Sequence, residues 1–169
     1  MSNEESFWYL VFTKVRSEFK AQENLKRQGY IVYLPITQKN YRRNGKNTTT
    51  IEAFFPRYLF IQLNQETDNW RPISSTIGVS HMVRFGGIPA VVPKNLVESL
   101  KLNEDQSGLQ PISSKKLNPG DKIVVIDGLF AGQYGIYQQL KGSERVAVLL
   151  DIVGKNTQVT LSMHDLQMV

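Results

Sequence analysis

The chain contains no cysteine, which excludes disulfides, thiolate metal sites and a cysteine nucleophile. Histidine is almost as scarce. His81 and His164 are the only two, and a metal site or a Ser–His–Asp triad built on either would need distant partners that no motif supplies. Phosphate loops of the GxxxxGK(S/T) kind, GxGxxG, HExxH and GxSxG are all missing. An enzyme is therefore disfavoured, and neither a cofactor nor a metal is expected. Long apolar runs are lacking too. The longest runs, such as residues 146–150, fall far short of a bilayer's thickness. The first residues, with Glu4 and Glu5, are acidic and have neither the cationic start nor the apolar stretch of a signal peptide. The expected location is the cytoplasm, with no membrane association.

Positive charge, by contrast, is present and unevenly placed. The net charge is +5 over 169 residues. Between Lys14 and Arg57 lie ten basic residues, Lys14, Arg16, Lys20, Lys26, Arg27, Lys39, Arg42, Arg43, Lys46 and Arg57, against three acids, Glu18, Glu23 and Glu52. Such an excess suits a polyanion such as a phosphate backbone. It equally describes a solvated helix face followed by a basic loop tip.

Residues 7–13 (FWYLVFT) are aromatic and β-branched enough for a buried strand. A helix is predicted over 17–28, with Phe19 and Leu25 inward and Gly29 as its stop. A second strand over 30–37 contains Pro35, which places part of it at an edge. Asn44-Gly45 marks a tight primed hairpin turn inside the basic tip 39–46. Residues 58–63 (YLFIQL) form a third strand. A short helix interrupted by Pro72 follows within 67–75, then a strand over 79–85 ended by Gly86-Gly87. Pro93 opens a helix through residue 102 with Leu96, Val97 and Leu100 on one face. This order predicts an α+β fold, an antiparallel sheet sandwiched with helices.

Residues 104–117 lose periodicity and gain Ser, Gly, Pro and charge, the composition of a linker. They divide the chain into a domain over 1–103 and a smaller one over 118–169. In the latter, short strands between glycines, among them 122–126, 135–138, 145–152 and 158–161, describe a small five-stranded barrel. One stretch reads both ways: Val146, Leu149, Leu150 and Val153 also fit the i, i+3, i+4, i+7 stripe of a helix.

Three segments together resemble the NusG/RfaH family of bacterial transcription elongation factors. They are Trp8-Tyr9 before the basic helix, Phe55-Pro56-Arg57-Tyr58-Leu59-Phe60, and the KOW-like run Pro119-Gly120-Asp121 to Asp127-Gly128-Leu129-Phe130-Ala131-Gly132 and Gly135. The segments 78–86 and 89–93 resemble the specialised RfaH branch. The resemblance implies that the first domain grips the clamp helices of the largest RNA polymerase subunit through Tyr58, Phe60, Val83, Phe85, Val97 and Leu100. Tyr58 and Phe85 are the expected exposed anchors. It implies contact with the non-template DNA strand through Lys14, Lys20 and Asn24, to which the basic cluster adds Arg16, Arg42 and Arg43. This chain departs from the branch at Asn24 and Ile77, where base-contacting groups are usual. It departs again at Asn69-Trp70-Arg71, where the branch carries a His-Thr-Thr contact to the other large subunit.

For the tail, the resemblance implies a KOW barrel turning at Gly120, Gly128, Phe130, Gly132 and Gly135 and contacting a small ribosomal subunit protein. The RfaH alternative is a helical hairpin docked on the polymerase-binding face. Glu52 and Arg145 match the salt bridge that locks that state, whereas Gln133 and Gly135 stand where it wants Phe and Ala. The barrel is the expected dominant state and the helical hairpin the alternative, in a monomer. Two other functions share these features: a general housekeeping NusG role and a KOW-type ribosomal or ribosome-assembly protein.

Overall fold

The computed structural model describes residues 5–111 and 141–161. Its centre is β1 (Ser6–Thr13), which pairs antiparallel along its whole length with β5 (Tyr58–Asn64), from Ser6 opposite Asn64 to Phe12 opposite Tyr58. On the other edge of β1 lie two strands in succession. These are β6 (Val79–Met82), with Val11 opposite Met82, and β9 (Val91–Val92), with Trp8 opposite Val92. The outer strand β2 (Ile31–Tyr33) pairs with β5, giving the order β2-β5-β1-β6. Pro35 interrupts the strand expected over 30–37. The chain resumes as β3 (Ile36–Arg43), which forms a separate two-stranded sheet with β4 (Lys46–Ala53). The turn is the expected one, Asn44 and Gly45 both holding positive φ, at 52° and 75°. The strand expected over 79–85 is likewise split into β6 and β7 (Arg84–Phe85), and β7 pairs with β8 (Ile88–Pro89) across Gly86-Gly87.

Alternation along the strands divides the core into two layers. Tyr9, Val11, Leu59, Ile61 and Leu63 face α1 (Glu18–Arg27), which inserts Ala21 and Leu25, and α2 (Arg71–Ser75), which inserts Ile73. Trp8, Leu10 and Phe60 face α3 (Lys94–Leu102), which inserts Leu96, Val97 and Leu100. Two expectations are corrected. Phe19 does not point inward but is 45 % exposed, because a helix whose buried stripe runs through Ala21 and Leu25 turns residue 19 to the far side at about 100° per residue. Pro72 does not interrupt α2 but sits in its first turn, where its missing N–H is no loss.

The tail brings the largest correction. No strands occupy 145–152 or 158–161; Gly142–Leu161 is one 20-residue helix, α4, and it packs on the α3 side of the sheet through Leu149, Ile152 and Val153. The expected turns Gly120, Gly128, Phe130, Gly132 and Gly135, together with Gln133 and His164, lie outside the described residues. The fold is mixed α/β with antiparallel sheets. In this arrangement the helical alternative, not a strand, occupies the described part of the tail.

Thr13 is fully buried beside the β1/β6 register shift, and its hydroxyl has no hydrogen-bond partner among the described residues. A buried, unsatisfied hydroxyl costs about 1–3 kcal/mol. Thr13→Val, which keeps the shape and removes that group, is expected to raise the unfolding free energy by about 1 kcal/mol. A lower denaturation midpoint for the variant would show that the hydroxyl is used.

Candidate functional site

The face under α4 is built from three elements. β5 opens with Tyr58, whose N–H bonds the Phe55 carbonyl and turns the strand into place. Val83 is fixed between the Leu10 carbonyl, which its N–H bonds at 2.9 Å, and the Ala90 N–H, which its own carbonyl accepts at 2.9 Å. Phe85 is raised on the β7–β8 turn, and α3 contributes Val97 and Leu100. Of the six residues expected to bind polymerase, Phe60, Val97 and Leu100 are buried, while Tyr58, Val83 and Phe85 are half-buried around them. Burial pushes the Tyr58 phenol above its ordinary pKa, with Arg57 partly opposing.

What covers this face is the stripe Arg145, Leu149, Ile152, Val153 of α4, all at least nine-tenths buried, flanked by Val146, Val148 and Leu150. The spacing i, i+4, i+7, i+8 is that of one helix face. Two glycines of α4 lie against this surface. A Cβ at Gly142 would lie 2.8 Å from Pro56 Cγ, whereas one at Gly154 would meet the Phe85 ring at an ordinary 3.6 Å.

Arg145 brings a charge into this apolar contact. Its Nε donates to the Phe54 carbonyl at 2.6 Å, and its guanidinium lies 4.5 Å from the centre of the Phe54 ring. Burial lowers its pKa from the ordinary guanidinium value, with the charges of Glu52 and Glu144 opposing. A hydrogen bond to a buried charge contributes about 1.5–3 kcal/mol. The family resemblance pointed to Glu52 as its counterpart, but the carbonyl and ring of Phe54 leave no trace in residue type or spacing.

The basic residues fall on two separate elements. Lys14, Arg16 and Lys20 surround the start of α1, with Asn24 one turn further along it. That corner is tight: Lys14 N–H bonds the Gly78 carbonyl, and a Cβ on Gly78, at φ +93°, would sit 2.7 Å from the Ala21 nitrogen. Asn24 donates to the Lys20 carbonyl at 2.9 Å and the Ile77 carbonyl at 3.4 Å, which commits its amide NH2 to the corner. Next to it opens a cleft of about 230 Å³ lined by Asn24, Arg27, Gln28, Pro72, Ser75, Thr76 and Ile77. Ile77 is 62 % exposed at its rim. Gln28 and Thr76, joined at 2.8 Å, are wall residues that sequence reasoning missed, because only the fold brings them together.

The second element is the β3–β4 hairpin. Arg43 stands opposite Lys46, and Lys39, Arg42, Arg43 and Lys46 are all exposed. Like charges directly opposite on a ladder are destabilising, so this tip gains from an anion. Arg57 belongs to neither surface. At φ 72° it is held by Glu18, by the Thr13 carbonyl and by stacking 4.1 Å above Phe12. Trp70, within the segment that replaces the branch's polymerase contact, packs partly buried against the core, edge-on to Tyr9 at 4.7 Å. His81 is exposed beside Ser80. No helix among the described residues is long and apolar enough to cross a membrane.

The family model described as "Transcription termination factor nusG" matches residues 6–101, and the chain belongs to the NusG family. The transcription termination/antitermination protein NusG of Staphylococcus aureus, in strains Mu50 and N315 among others, is 26 % identical over 171 residues, covering 95 % of this chain and 94 % of that protein. A solved structure described as "Domain interaction in Thermotoga maritima NusG" is 23 % identical with a TM-score of 0.40, covering 70 % of this chain and 68 % of that one.

The latch has a consequence for α4. Arg145→Ala is expected to weaken its docking by about 1.5–3 kcal/mol, and Glu52→Ala by less than about 1 kcal/mol, as for a pair not wholly withdrawn from water. Gly154→Ala should act in the opposite sense, adding about 1 kcal/mol of helix propensity without a clash. Backbone carbon shifts over residues 146–153 measure all three. Equal effects of Arg145→Ala and Glu52→Ala would remove the Phe54 carbonyl from the account.

Proposed function

We propose that this chain is a transcription elongation and antitermination factor of the RfaH-like kind, which binds the RNA polymerase clamp helices through the face that α4 covers. The observation that carries this reading is the coincidence of two footprints. Tyr58, Val83 and Phe85, assigned to polymerase by resemblance alone, pack with Val97 and Leu100 in the one cluster that receives Leu149, Ile152 and Val153. An occupied face cannot take a second partner, so the free protein is held inactive until α4 leaves. The α1 corner with its cleft contacts the non-template strand, Lys14, Arg16 and Lys20 meeting phosphates while Asn24 presents an acceptor oxygen to a base edge. The hairpin cations Arg42 and Arg43 add further phosphate contacts. Release of α4 frees the tail for its own partner, a small ribosomal subunit protein. No chemical step is assigned to any residue.

A second reading is the general housekeeping role, favoured by the likeness to the Staphylococcus aureus proteins along nearly the whole chain. The two differ in whether the face is covered in the free chain. Under the first reading, Arg145→Ala raises capture of polymerase from solution by about tenfold or more, the population shift that a loss of 1.5–3 kcal/mol produces. Adding Tyr58→Ala and Phe85→Ala then abolishes capture, since truncating an aromatic anchor removes about 2 kcal/mol or more. Capture by wild type equal to that by Arg145→Ala would favour the general role. Full capture by the triple variant would exclude this face.

A further inference from the structure

The basic hairpin is a sheet of its own: no ladder joins β3–β4 to the five-stranded sheet. Its angle to the body is therefore set by a small number of bonds at its base, and several of these meet at one residue. Gln110 lies in a segment whose polar composition reads as linker, yet it is 1 % exposed. Its N–H donates to the Ile36 carbonyl at 2.7 Å, and its carbonyl accepts from Thr37 Oγ1 at 2.8 Å, which makes a parallel bridge with β3. Its side-chain nitrogen donates to the Leu100 carbonyl of α3 at 2.6 Å and to the Tyr33 hydroxyl of β2 at 3.4 Å. Asn103, just past α3, donates to its side-chain oxygen at 3.4 Å. The segment reaches this position through a closed turn in which Asp105 Oδ1 accepts from the N–H groups of Ser107 and Leu109, with Gly108 at φ +78°. A buried amide with both ends used and bonds to three elements is costly to dislodge, because each freed group would stay unsatisfied.

We propose that Gln110 is a positioning residue for the hairpin: by tying the base of β3 to α3 and β2, it fixes the angle at which Arg42 and Arg43 meet nucleic acid. The inference rests on the reading of those two arginines as phosphate contacts. Fixing the hairpin beforehand removes the ordering cost that a swinging hairpin bears on binding. The number of phosphate contacts, and with it the salt dependence, stays the same.

The chain has no cysteine, so Asn47→Cys on the hairpin and Lys26→Cys on α1 place two spin labels cleanly on the full-length protein. In that background Gln110→Met keeps most of the side chain's length and removes its hydrogen bonds, while Thr37→Val removes only the hydroxyl bond to the strap. Gln110→Met should broaden the label-to-label distance distribution, and Thr37→Val should broaden it less. Without labels, Gln110→Met should weaken binding of a fluorescent DNA duplex carrying an unpaired bubble by about two- to tenfold, with an unchanged slope of log affinity against log salt. Arg42→Glu with Arg43→Glu is the reference, expected to lower that slope by about one unit per contact. If the reversal acts as expected while both strap variants leave the distance distribution and the affinity unmoved, the role of Gln110 is overturned and the hairpin contact stands. If the reversal changes neither affinity nor slope, the nucleic-acid reading beneath the proposal falls.

Discussion

The arrangement of this protein turns on the docking of one helix face against the α3 side of the sheet. Leu149, Ile152 and Val153 close a layer that Trp8, Leu10, Phe60, Leu96, Val97 and Leu100 begin. Burying three aliphatic side chains contributes about 1.5–3 kcal/mol each relative to exposure. Against this stands the ordering of a long segment and the withdrawal of the Arg145 charge from water. The Phe54 carbonyl and ring offset the second cost. A competing partner for the same face would shift this equilibrium by its differential affinity and no more.

The same helix reaches the base of the hairpin. Arg145 grips Phe54, the residue after β4, while Gln110 holds the start of β3 from the other side. The apolar face and the basic hairpin thus share a boundary, and whatever lifts α4 also removes one of the two ties on the hairpin. Buried polar groups do this work where apolar packing could not, because a hydrogen bond to a particular carbonyl fixes direction as well as proximity.

Most of the structure over residues 6–102 was legible in the sequence because its signals are local. Asn44-Gly45 specifies a primed turn through its own backbone preferences, and the aromatic run before Lys14 can be little other than a strand. The misreadings came where a local signal is degenerate. Phe19 is apolar, but its phase around α1 is set by Ala21 and Leu25. Residues 146–153 satisfy periods of both 2 and 3.6, so their conformation is decided by the partner face they find and not by pattern. Gln110 was taken for linker because composition counts polar groups without seeing which of them will be satisfied. Resemblance placed Tyr58 and Phe85 together before the fold did, whereas the cleft wall of Gln28 and Thr76 exists only once α1 and the loop after α2 are brought together.

The central claim is that α4 and polymerase occupy one face in turn. Amide hydrogen exchange over residues 146–153, followed in the full-length chain alone and with saturating RNA polymerase, tests it most directly. The account predicts protected amides in the free chain and loss of that protection in the complex, together with new protection on β5 and β7. Equal protection of 146–153 in both states would contradict it, and so would fully unprotected amides in the free chain.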